Sequence, residues 1–171
     1  RIGRGILPQD IKRSLWFHYM DAKRVIESRS FDMFNSIHLE INTDCNRSCS
    51  YCSNFIYPKK PEKMLPQLYN KIIDELEDAN YRGRICFNYS SEPTLHPELP
   101  AIIKYARKVK RAKLYIYTNG DFLNRESFDQ LKKSGADHFV ITQHGENIPE
   151  PLSKMLHSLS LDEKNMLHSR L

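Results

Sequence analysis

The sequence predicts an α/β domain built on parallel strands, and three observations predict it. Short apolar or alternating runs recur at residues 36–42, 84–89, 113–117 and 138–142, with helical patterns between them. Each connection is long enough to be a crossover, so neighbouring strands pair in parallel rather than as hairpins. Polar loops bearing cysteine, proline or glycine follow the strands, which is the end of a parallel sheet where chemistry is placed.

Residues 9–29 read as a helix, because Ile11, Leu15, Phe17, Tyr19, Met20 and Val25 interrupt charged positions at helical spacing. In the strand at 36–42, Ile37, Leu39 and Ile41 alternate with His38, Glu40 and Asn42, the period of two that a half-buried strand shows. Residues 43–61 are polar, cysteine-rich and bounded by proline, and read as a long loop. Pro66 suits the first turn of a helix running to about residue 80, where its missing N–H is no loss, with Leu65, Leu68, Tyr69, Ile72, Ile73 and Leu76 as the apolar stripe.

Gly83 ends that unit, and RICFNY at 84–89 forms the second strand. The loop SSEPTLHPELP leads into a helix over 99–110, followed by a third strand, KLYIY, at 113–117. Thr118, Asn119 and Gly120 turn the chain into a helix at 125–134, Gly135 sits past its end, and HFVIT at 138–142 supplies the fourth strand. Short helices are expected at 151–157 and from 161 onward, so that Leu171 falls within a helical pattern. A parallel sheet ending at its fourth strand leaves an open edge, and the expectation is a piece of a larger chain.

The 171 residues include 26 Lys+Arg against 21 Asp+Glu, a net charge of +5, with 40% hydrophobic residues. This suits one domain with a core and excludes a disordered tail, while the lack of an apolar run of about 18 residues excludes a helical membrane span. The basic N-terminus is followed by no secretory apolar stretch, so a reducing, cytoplasmic setting is expected. The charge surplus is compatible with an anionic partner but is too modest to specify one.

Four cysteines are too few for a disulfide scaffold, and three of them, Cys45, Cys49 and Cys52, lie within eight residues. Thiolates three and then two residues apart, in a loop directly after a strand, can wrap three corners of an iron–sulfur cube and leave one iron open. The alternatives are a structural zinc site completed by Cys86 or a histidine, and metal-free thiols.

This CxxxCxxC segment resembles the hallmark of radical S-adenosylmethionine enzymes. The resemblance implies a [4Fe-4S] cluster held by Cys45, Cys49 and Cys52, with S-adenosylmethionine chelated at the fourth iron and Tyr51 near its adenine. Ser90-Ser91-Glu92-Pro93 stands where the family carries Gly-Gly-Glu-Pro, implying contacts to the cofactor amine, with the Glu92 carboxylate helping to hold the loop. If relatives need positive φ at those glycines, Ser90 and Ser91 imply a different backbone or strain; alternatively the serines cap the following turn. Tyr117-Thr-Asn-Gly120 resembles the family's TNG element, which implicates Asn119. Thr142, in the segment 141–145, implies a contact to the cofactor carboxylate, although His144 replaces the usual aspartate. Local turn chemistry explains both of these residues nearly as well.

The fold implied is a partial (β/α) barrel of about four strand–helix units, covering residues 37–171, with residues 1–36 as an N-terminal helical extension. The SSEPTLHP and YTNG segments lean towards relatives with an auxiliary-cluster SPASM or twitch domain. The chemistry implied is hydrogen-atom abstraction from a peptide, sugar or small molecule, fed by a low-potential donor such as flavodoxin or ferredoxin. RNA or nucleoside modification and non-catalytic cluster or zinc binding are the other readings. Cys86 reads as a core or barrel-lining side chain, His96 and His138 as structural, and the basic run Arg107, Lys108, Lys110, Arg111 and Lys113 as a helix end.

Overall fold

In a computed structural model the described residues are 34–142 and 148–170; the helix expected at 9–29 lies outside them, as do Gln143, His144 and Gly145. Five strands, β1 (Ser36–Leu39), β2 (Arg84–Phe87), β3 (Lys113–Thr118), β4 (His138–Thr142) and β5 (Leu167–Arg170), form one sheet in sequential order. Every neighbouring pair is parallel, as expected for a (β/α) barrel segment. Six helices connect them: α1 (Ser53–Ile56), α2 (Pro66–Asp78), α3 (Leu99–Ala106), α4 (Arg125–Ser134), α5 (Glu150–Ser158) and α6 (Leu161–Lys164). No helix among the described residues is long and apolar enough to cross a membrane.

Local chemistry explains the sharpest boundaries. Asn124 and Ser127 form a reciprocal capping box at the start of α4, and Gly135 closes it at φ 113° in the left-handed region, so both ends agree with the sequence reading. Elsewhere the structure shortens what periodicity extends. The first strand stops at Leu39, because Ile41 and Asn42 pair with the returning loop at Met64 and Lys63 rather than with β2. Helix α3 ends at Ala106, where Arg107 turns to bond the Ala112 carbonyl at 2.6 Å and Asp137 at 2.9 Å.

The expected C-terminal helix is corrected: α6 is one turn with its own Ser160–Glu163 capping box, and β5 follows it. Pairing with β4 satisfies backbone groups that a longer helix would have bonded internally.

The two faces of the sheet differ in chemistry. Leu39, Ile85, Phe87, Leu114, Ile116, Phe139 and Ile141 are buried with Ile73, Ile103, Phe128 and Leu152 of the helices, and the Phe128 and Phe139 rings lie 4.7 Å apart. On the opposite face, His38, Cys86, Tyr115 and His138 are in register across β1 to β4. Within the basic run, Arg107, Lys108 and Lys113 are engaged by Asp137, Asp74 and Asp137.

Candidate functional site

The cysteine loop is closed at its base. Thr43 N–H donates to Glu62 O at 2.9 Å, Met64 N–H donates to Ile41 O at 2.9 Å, and the Thr43 hydroxyl donates to Lys60 O at 2.6 Å. Cys45, Cys49 and Cys52 therefore sit on one pinned excursion beyond β1. A turn sets the last two, with Cys52 N–H donating to Cys49 O at 2.9 Å, and the Cys52 carbonyl then accepts from Phe55 and Ile56 to start α1. All three thiols are free and partly buried.

They line a cleft of about 380 Å³ at the C-terminal ends of the strands, together with Tyr51, Ser90, Ser91, Glu92, Asn119 and Thr142. The structure thus brings together every residue singled out for the cluster and cofactor, although they come from four separate segments. Tyr51 is 68% exposed and its phenol bonds Cys49.

Glu92 is the hub. Its carboxylate, 2% exposed, accepts from Thr94 N–H at 3.1 Å, Thr94 Oγ1 at 2.5 Å, Thr118 Oγ1 at 2.7 Å and Asn119 N–H at 2.8 Å. Its backbone N–H donates to Asp44 O at 2.8 Å, and Asn42 Nδ2 donates to the carbonyls of both Asp44 and Glu92. The Glu92 carboxylate thereby ties the loop after β2 to the end of β3, and the Glu92 backbone, with Asn42, ties that loop to the cysteine loop.

A second clamp joins the cysteine loop to the turn after β3. Asn119 accepts from Asp121 N–H at 3.0 Å and donates to Asn46 Oδ1 at 2.8 Å, while Asn46 Nδ2 donates to Asp121 at 2.6 Å. Arg47 grips the same carboxylate in bidentate fashion, and Asp121 in turn raises the guanidinium's pKa. Gly120 makes the turn at φ 81°.

The two serines behave differently from the expectation of strain. Neither Ser90 nor Ser91 has positive φ; Tyr89 takes it instead, at 149°. Ser90 donates through N–H at 3.2 Å and Oγ at 3.0 Å to Glu40 Oε1, and Lys59 bonds both Glu40 at 2.6 Å and Ser90 Oγ at 3.1 Å. The Ser90 hydroxyl is thus engaged by protein, whereas Ser91 faces the cleft. Glu40, Arg47, Asn46 and Lys59 were not singled out from the sequence; Glu40 alone left a trace, as a charge within an alternating strand.

The donor chemistry fits an iron–sulfur cluster: three soft sulfur ligands on one loop, none in a disulfide, at the edge of a polar cleft. No group of three or more His, Cys, Asp or Glu converges on a single-ion site among the described residues. A cube presents its irons at separate corners and does not require its thiolates to meet at one point. Burial first, then the negative potential of Glu92 and the other two thiols, pushes the Cys45 thiol up. Metal binding must therefore drive off that proton. Cys86 lies apart, buried on β2, where the Tyr117 hydroxyl bonds its sulfur.

Residues 39–147 match the Radical SAM superfamily, and the chain belongs to this superfamily of enzymes. Among individual proteins it is similar to the S-adenosyl-L-methionine-dependent 2-deoxy-scyllo-inosamine dehydrogenase of Niallia circulans, 36% identical over 114 residues, which are 66% of this chain and 46% of that protein. The fold is similar to BtrN solved in complex with AdoMet and 2-DOIA, with 31% identity and a TM-score of 0.74, covering 80% of this chain and 56% of that one. Streptococcus suis SuiB bound to S-adenosylmethionine shares the fold at 16% identity and a TM-score of 0.52, covering 81% of this chain and 32% of that one. The chain spans about half the length of the first two relatives.

Proposed function

We propose that this protein is an oxidoreductase of the radical S-adenosylmethionine class acting on a small hydroxylated molecule. The carrying observation is the convergence of Cys45, Cys49 and Cys52 with the Glu92-braced loops on a single cleft. Held by Cys45, Cys49 and Cys52, a [4Fe-4S] cluster would supply one-electron reduction of S-adenosylmethionine, the chemistry needed for hydrogen-atom abstraction from a substrate.

The residues divide the remaining work. Cys45, Cys49 and Cys52 hold three irons. Ser91, Asn119 and Thr142 supply polar contacts along the cofactor's path, and Tyr51 covers its adenine. Glu92 and Ser90 act through the backbone they hold, fixing the loops that face the cofactor amine. The small-molecule preference is supported by the likeness to a cyclitol-type dehydrogenase. SSEPTLHP and YTNG support grouping with relatives that carry an auxiliary-cluster region, and four free thiols support a reducing, cytoplasmic setting. The electron donor is a low-potential protein of the flavodoxin or ferredoxin kind.

Anaerobic reconstitution, iron and sulfide quantification and an assay for 5′-deoxyadenosine test this reading. About four irons per chain with deoxyadenosine formation are expected; zinc, or a reduced and cofactor-bound cluster that never cleaves the cofactor, would overturn it.

A further inference from the structure

Between Cys45 and Cys49 lie Asn46, Arg47 and Ser48, and a single carboxylate from the turn after β3 holds the first two of them. Asp121 accepts from Asn46 Nδ2 at 2.6 Å and from Arg47 Nε at 2.7 Å, and Arg47 Nη2 completes the fork. It stands 74 residues further along the chain than Arg47, so the shape of the ligand-bearing span is set by a partner that the span does not contain. Asp121 is itself tied down: its N–H donates to Asn119 Oδ1 at 3.0 Å, and Asn119 Nδ2 donates to Asn46 Oδ1 at 2.8 Å. Asn46 is thereby held at both ends of its carboxamide.

The sulfurs do not shape this span themselves. All three thiols are free, and after burial the negative potential of Glu92, Cys49 and Cys52 opposes ionisation of Cys45. Residue 47 is the handle. Its backbone N–H donates to Cys45 Sγ at 3.5 Å, and an N–H aimed at sulfur favours the thiolate that metal binding requires. A long arginine side chain has many rotamers to lose and does not keep one position unaided. The two-pronged grip of Asp121 selects one, with both side chains only 20% exposed.

Resting on the proposed function, we infer that Asp121 is a positioning residue for the cluster: by gripping Asn46 and Arg47 it keeps the Cys45–Cys49 span in its ligating shape and slows the loss of iron from the site. The turn after β3 thus has two duties. Asn119 lines the cleft, and Asp121, two residues on, holds the loop that carries the sulfur.

The test uses the full chain, reconstituted anaerobically with iron and sulfide, left oxidised and challenged with excess EDTA while the visible absorbance of the cluster is followed. Asp121→Asn, which keeps the volume and removes the charge, should lose iron about tenfold faster, as expected for one charge-assisted bond at a partly exposed site. Asp121→Glu restores the charge and should recover part of the retention. Arg47→Gln should act like Asp121→Asn, and the double variant should lose iron no faster than the faster single one, because both changes break the same contact. Glu163→Gln is the control for a merely structural role: it breaks the pairing with Arg125 and Lys132, none of which lines the cleft, and should lower the melting temperature while leaving iron loss at the wild-type rate. Wild-type retention in Asp121→Asn, or equally fast loss in Glu163→Gln, would overturn the inference; should Asp121→Asn not fold, Arg47→Gln decides by the same comparison. A wild-type protein that takes up a cluster which the variants keep as well leaves the proposed function standing and removes this inference alone, whereas a wild type that takes up no iron and sulfide brings down both.

Discussion

Replacing Glu92 by glutamine tests whether the site is wired as described, because the change preserves volume and removes one acceptor. In the native arrangement Oε1 takes three donors, Thr94 N–H, Thr94 Oγ1 and Thr118 Oγ1, and Oε2 takes Asn119 N–H. The carboxamide has one oxygen. With that oxygen kept on the three-donor side, its NH₂ points at Asn119 N–H, so one charge-assisted bond is lost and two donors face each other without water. A bond to a charged group contributes about 1.5–3 kcal/mol and a stranded buried donor costs about 1–3 kcal/mol, so a loss of about 3 kcal/mol is expected. For a chain of this size that lowers the melting temperature by roughly 6–12 °C. Urea unfolding followed by circular dichroism reads the global effect, and hydrogen exchange at the Asn119 amide reads the local one, expected to quicken about a hundredfold. Thr118→Val removes a single donor; added to Glu92→Gln it should cost less than it does alone, since the two share one network. A Glu92→Gln protein within about 0.5 kcal/mol of wild type, with Asn119 still protected, would refute the hub.

Single replacement of Cys45, Cys49 or Cys52 by alanine should remove most reconstituted iron, while Cys86→Ala keeps it; full iron in any of the first three would defeat that ligand's assignment. Gly120→Ala forces a side chain into a residue at φ 81°, with its Cβ 2.7 Å from Leu152 Cδ2 and 3.1 Å from Ile141 Cγ2. A loss of about 1–3 kcal/mol is expected by thermal denaturation, and an unchanged melt would show that the turn relaxes freely. Glu163 accepts from Arg125 at 2.8 Å and Lys132 at 2.8 Å, which, with the Ser160 N–H, hold its carboxyl far below the usual range. Because the folded value is depressed, this stabilisation is complete above the unfolded pKa of about 4.3 and is lost as pH falls below it. Glu163→Gln should therefore flatten the acid limb of a stability-against-pH curve, and an identical slope in both proteins would contradict the ion-pair assignment.

What the sequence discloses follows the range of the interactions responsible. Helix α4 is readable to the residue, since Asn124, Ser127 and Gly135 set its limits by contacts within a few positions. Strand β5, LHSR, has no apolar run to mark it, and it exists through pairing with β4. The cysteines, Glu92 and Asn119 are legible because each lies in a short motif after its strand. The Arg47–Asp121 grip and the Glu40–Lys59 pair are not, since their members stand 74 and 19 residues apart and nothing local couples them.

The serine pair shows how such a distant contact changes the meaning of a motif. A glycine-to-serine replacement read in isolation implies strain, because a side chain disfavours positive φ. In the folded chain neither serine adopts that conformation; Tyr89, one position upstream, has positive φ, and its ring is 72% exposed and sits under Lys59 at 5.4 Å. Ser90 then lies where Glu40 can accept from both its amide and its hydroxyl. Lys59, from the cysteine loop, completes the brace by bonding Glu40 and Ser90 together. The loop after β2 is therefore tied to the cysteine loop twice: through Glu92 and Asp44 on its inner side, and through Ser90 and Lys59 on its outer side. A glycine at position 90 would keep the amide bond but lose both hydroxyl contacts, so the serine here fixes the geometry that it seemed to endanger.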